Sequence, residues 1–108
     1  TLVLRQPVGV IIGEGVKIGK HVTIFQNVTL VRSDTHIPAY PAIGSNTIIY
    51  AGAVVLGDIT IGNNCVVAAN AVVTKNIPDG SIAVGVPAKI LKKDKLEVSE
   101  NSLIDVNQ

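Results

Sequence analysis

The chain is 108 residues long, enough for one small domain and too short for two. Apolar residues make up 47% of it but aromatics only 3%, so its core must be built from Val, Ile and Ala, which suits thin regular layers. A net charge of +1 offers no field for nucleic acid or an acidic membrane surface, and no apolar run approaches the roughly 20 residues that span a bilayer.

The chain opens at Thr1 inside an apolar pattern, as a piece of a longer protein would. From Ile12 a period of six sets in. Large aliphatics stand at Ile12, Ile18, Ile24 and Leu30, then at Ile43, Ile49, Val55, Ile61, Val67 and Val73. Smaller or β-branched residues follow at Val16, Val22 and Val28, then at Thr47, Ala53, Ile59, Cys65, Ala71 and Ile77. Directly before these stand Gly15, His21, Asn27, Asn46, Gly52, Asp58, Asn64, Asn70 and Asn76.

That last column predicts corners. Gly, Asn and Asp tolerate positive φ, and His is enriched there, so the chain should turn once per six residues between very short strands. A corner position accounts for His21. A period of six cannot keep one face of a 3.6-residue spiral inward, which excludes helix. Repeated corners give a coil whose turns stack as parallel strands roughly 4.8 Å apart, an all-β solenoid. Phe25, Tyr50 and Leu56 each follow an inward aliphatic, so alternation points them outward as interface residues.

The register breaks once. Leu30 to Ile43 is thirteen residues, two repeats plus one, and the stretch 31–42 lacks corners. An extruded loop on a regular solenoid is where function concentrates. It holds His36, close to Asp34 and with no repeat position to explain it, and Tyr40. Histidine is the side chain best suited to general-base work near neutral pH. His36 is therefore the expected catalytic base, and Tyr40 a second candidate for positioning or proton donation.

One coil apart, Ala51, Gly52 and Ala53, then Ala68 and Ala69, present backbone with little side chain. Pro78, Asp79 and Gly80 form a turn, and from Leu91 the chain becomes charged and then polar. The expected division is a repeat domain over 1–90 and a short helix or frayed tail over 91–108. The single Cys65 excludes an internal disulfide and fits a reducing, cytoplasmic setting.

Asn-Ala-Val-Val-Thr-Lys-Asn-Ile-Pro-Asp-Gly over 70–80, followed by Val84-Gly85-Val86-Pro87-Ala88-Lys89, resembles the C-terminal signature of hexapeptide-repeat acyltransferases. With residues 9–14 and 24–30, the chain is most similar to serine acetyltransferases and related sugar O-acetyltransferases. The resemblance implies a left-handed parallel β-helix, a triangular prism with three hexapeptides per coil. It also implies acetyl-CoA as co-substrate and a homotrimer with sites between neighbouring prisms. The pantetheine arm would run against Ala51, Gly52, Ala53, Ala69 and Asn70. The adenine end would lie near Val86, Pro87 and Lys89, with Lys89, Lys92 and Lys93 meeting the phosphates as point charges.

Serine acetyltransferases carry an Asp-His pair and a His-Pro segment at the site. In this sequence Arg5 and Gln6 stand in place of the first, and Tyr40 precedes Pro41 in place of the second. This argues against serine and favours a hydroxyl of a sugar, polysaccharide precursor or small metabolite. A catalytically idle scaffold is the alternative reading. No metal is expected, because zinc enzymes of this fold gather three histidines and the chain has two.

Overall fold

The structure, a computed structural model, describes residues 2–5, 8–34 and 36–92. Gln6, Lys93 and the remainder of the expected tail lie outside the described residues.

Short strands follow one another in chain order: β1 (Leu2–Leu4), β2 (Ile11–Ile12), β3 (Lys17–Ile18), β4 (Val22–Ile24), β5 (Thr29–Val31), β6 (Ala42–Ile43) and β7 (Ile48–Ile49). After them come β8 (Val54–Leu56), β9 (Thr60–Ile61), β10 (Val66–Val67), β11 (Val72–Val73), β12 (Ser81–Val84) and β13 (Lys89–Lys92). They form three faces: six strands ordered β1-β4-β7-β10-β12-β13, four ordered β11-β8-β5-β2, and three ordered β3-β6-β9. From β1 to β12 consecutive strands lie on different faces, so each circuit of the chain adds one layer to a prism. The first edge joins the six- to the four-stranded face, the second the four- to the three-stranded face, and the third closes the circuit.

The register counts the residues in each circuit. Ile48 pairs with Val66 and Val54 with Val72, an offset of 18. Thr23 pairs with Ile48 and Lys17 with Ala42, an offset of 25, seven more. Leu30 and Ile43 stand on adjacent faces, so the gap between them is one repeat plus seven residues, not two repeats plus one. Val31 and Ala42 belong to strands, which narrows the loop to 32–41.

The periodic aliphatics fill the prism. Ile24, Leu30, Ile49, Val55, Ile61 and Val67 are fully buried, each contributing about 1.5–3 kcal/mol of hydrophobic stabilisation. Ile12 and Ile18 are only partly buried, because β2 and β3 are the first strands of their faces.

The corners divide by edge. On the first, Gly9, Asn27, Gly52, Asn70 and Gly85 have positive φ; on the third, His21, Asn46, Asn64 and Gly80 do. Along the third edge the Lys20 N–H donates to Ser45 Oγ at 3.0 Å. The Ser45 N–H donates to Asn63 Oδ1, and the Asn63 N–H to Asp79 Oδ1, both at 2.7 Å. The second edge turns differently. Gly15, Asp58 and Asn76 are not left-handed there, contrary to the sequence expectation. Gly57 takes the positive φ beside Asp58, since it lacks a Cβ to clash. Asn76 uses its side chain to accept the Thr60 N–H at 2.8 Å.

Only the last described pairing is antiparallel: β13 returns along β12. Leu91 and Lys92 therefore lie in a strand, and the boundary expected after residue 90 cuts through it. Lys89 and Lys92 charge this exposed outer strand, which discourages further pairing.

Candidate active site

The loop leaves the prism at the second edge, between β5 and β6. Its own polar groups fold it: the Ile37 N–H donates to the Asp34 carbonyl at 3.2 Å, and the Ala39 N–H to the Ile37 carbonyl at 2.8 Å. Asp34 Oδ1 accepts the His36 N–H at 2.8 Å. Asp34 thus holds the backbone of His36, whose residue is exposed to solvent. Pro41 is fully buried at the return to β6.

Tyr40 turns back onto the prism. Its ring straddles the turn between β2 and β3. A Cβ added to Gly13 would come 2.7 Å from Tyr40 Cε1, and one on Gly15 would collide with Cδ2 and Cε2. The Arg32 guanidinium carbon lies 5.5 Å from the ring centroid, within cation–π range. No local sequence pattern links Arg32, Gly13 and Gly15 to Tyr40, and Gly15 stood out only as an expected corner.

Higher on the second edge, a groove of about 420 Å³ opens beside the returning chain. Val73 and Ile77, both core residues, line it together with Thr74, Lys75, Pro87, Ala88, Lys89 and Ile90. Pro87 and Lys89 are where the adenine end was expected. Lys75 joins them as a second cation that the sequence reading passed over, although it lies inside the signature. Val86 is 70% exposed and is not part of the lining, and Lys92 lies further along β13. The groove is two layers above the loop, about 10 Å along the edge.

Ala51, Gly52, Ala69 and Asn70 sit on the first edge, away from both features. There the Gly52 N–H donates to the Gln26 carbonyl and the Asn70 N–H to the Ala51 carbonyl, each at 3.0 Å. Ala53 is a correction to the expected lining. It is fully buried in an inward column, its N–H donates to Tyr50 and its carbonyl accepts from Thr29, so nothing of it is left for a ligand. Beside this edge Phe25 and Tyr50 stack with ring centroids 4.9 Å apart and planes 14° from parallel. Tyr50 is 39% exposed, while Phe25 and Leu56 are half-buried.

One chain therefore brings His36, Tyr40, Lys75, Pro87 and Lys89 to a single edge. It does not bring the small residues of the first edge to them.

Residues 40–75 match the model for the bacterial transferase hexapeptide (six repeats). Those residues carry the hexapeptide repeat of this transferase family, and the fold of the chain is the left-handed parallel β-helix. It is 46% identical over 96 residues to a serine acetyltransferase of Buchnera aphidicola subsp. Schizaphis graminum, a match covering 87% of this chain and 37% of the relative. A serine acetyltransferase from Brucella abortus strain S19, solved in complex with coenzyme A, superposes with a TM-score of 0.81 at 34% identity, covering 84% of this chain and 37% of that one. The Neisseria gonorrhoeae serine acetyltransferase in complex with serine gives 0.79 at 37% identity, covering 83% and 37%. The chain thus spans little more than a third of the length of these relatives.

Proposed function

We propose that the chain is the β-helix part of an acetyltransferase that moves the acetyl group of acetyl-CoA onto a hydroxyl. The observation that carries this reading is the alignment, along one edge, of a groove bearing Lys75 and Lys89 with a loop bearing His36. A CoA thioester laid along that edge would have its phosphates by the lysines and its acetyl group toward the loop. The acceptor oxygen attacks the thioester carbonyl, forming the ester C–O bond. The C–S bond breaks, and the hydroxyl proton passes through His36 to the departing CoA thiolate.

L-Serine is the acceptor that the relatives' names support. A sugar hydroxyl draws its support only from Gln6 and Tyr40, which stand where the resembled enzymes keep histidines.

A homotrimer gives the first edge its part. The outer row of the six-stranded face runs Val3, Thr23, Ile48, Val66, Ile82 and Leu91, and that of the four-stranded face Ile11, Thr29, Val54 and Val72. The three-stranded face shows Lys17, Ala42 and Thr60 instead. Two apolar faces flank the first edge, which suits burial against a neighbour. The small residues Ala51 and Ala69 would then face the second edge of the adjacent prism, with the pantetheine arm between them.

The test is calorimetric titration with acetyl-CoA, followed by thiol release in the presence of L-serine. Saturable binding with serine-dependent release supports the full reading. Binding without release moves the search to sugar acceptors. Absence of binding by folded protein would leave the scaffold reading in its place.

A further inference from the structure

We infer that Tyr40 is a positioning residue: its ring, seated on the bare Gly13–Gly15 turn and covered by Arg32, closes the base of the 32–41 loop and sets the segment that carries His36. The argument begins with the glycines. Neither Gly13 nor Gly15 has positive φ, so a left-handed turn does not explain either glycine. What a side chain would meet is first the Tyr40 ring, one edge over Gly13 and the other over Gly15, with the Leu30 carbonyl also 3.3 Å from a Cβ on Gly13. The bare turn is therefore the socket of that ring.

Arg32 and Tyr40 stand at the two ends of the loop, and their contact joins those ends directly. A loop with its ends pinned and its interior held by Asp34 and Ile37 behaves as a compact Ω-type unit rather than a free strap. This seating is a property of the fold. Its consequence for turnover, the steady placement of His36, rests on the transferase reading.

Trypsin reads the seating directly, because Arg32 is half-buried beneath the contact while Arg5 is exposed and serves as the internal control. On the intact protein, Tyr40→Ala should speed cleavage after Arg32 at least about tenfold with no change at Arg5, since cleavage follows the population of the opened loop. Gly15→Ala should act in the same direction by displacing the ring. Tyr40→Phe, which keeps the ring and loses only the hydroxyl, should cleave like the parent. If Tyr40→Ala unfolds the chain, cleavage rises at both arginines, and Gly15→Ala then decides.

Cleavage at Arg32 unchanged in Gly15→Ala, or equally fast in Tyr40→Phe and Tyr40→Ala, overturns the inference. Where acetyl transfer is measurable, Tyr40→Ala should lower kcat while the KM for acetyl-CoA stays put, with Tyr40→Phe restoring kcat. The protease result decides the seating even if no transfer is found, so the two readings fail separately.

Discussion

The side-chain oxygen of Asn70 lies over the Cα of Gly52, in the space that a Cβ on that glycine would occupy. Gly52 also turns through a φ of 75°, so two separate costs meet any larger residue there. Gly52→Ala should lower unfolding free energy by about 1–3 kcal/mol. In an Asn70→Gly background the same substitution should cost less, because the collision is gone and only the backbone cost remains. Denaturant titrations of the four proteins measure both terms. Equal costs in the two backgrounds would mean that the asparagine does not press on the glycine.

Inside the prism, Thr47, Cys65 and Ser81 form one inward column. Thr47 Oγ1 donates to the Gly62 carbonyl at 2.9 Å and accepts the Cys65 N–H at 3.2 Å. Ser81 Oγ is buried without a partner among the described residues. Thr47→Val should therefore destabilise by about 1–3 kcal/mol, leaving a buried donor and acceptor unpaired. Ser81→Ala should be neutral or stabilising, since it removes a hydroxyl that already lacks a bond. Thermal melts of the two variants suffice; a loss for Ser81→Ala as large as that for Thr47→Val would contradict this account.

The repeat was legible because burial and periodicity coincide: Ile24, Ile49 and Val67 are fully buried where a period of six put them. Corners were legible only where one residue type does one job. Asn46 and Asn64 take positive φ, whereas Asn76 spends its side chain on the Thr60 N–H and needs no left-handed turn. Smallness misled at Ala53, which is small because it points inward, and not because a ligand passes. Lys89 and Pro87 were found through the signature, but Lys75 entered the groove only once the returning chain was laid beside it. The Tyr40 socket had no local signal, since its two halves lie on different layers.

His36→Ala should lower turnover by about 10²–10⁴-fold while acetyl-CoA affinity stays nearly the same. The imidazole is exposed and away from the groove lining, so its removal takes away a proton acceptor and not a binding contact. Steady-state rates with a saturating acceptor, beside calorimetry of the same variant, separate the two effects. Full turnover in His36→Ala would require a different base.

The two groove lysines make a sharper test of where the CoA phosphates lie. Lys75 and Lys89 both line the groove, while Lys92 does not. All three are exposed, so each charge is screened by solvent and salt, and single replacements should have modest effects. Lys75→Ala and Lys89→Ala should each weaken CoA binding by about two- to fivefold at physiological salt, and by more at low salt. Lys92→Ala should change affinity less than either. Titrations at two ionic strengths read this directly. If Lys92→Ala proved the most damaging of the three, the phosphates would lie along β13 rather than in the groove, and Lys75 would have no part in holding them.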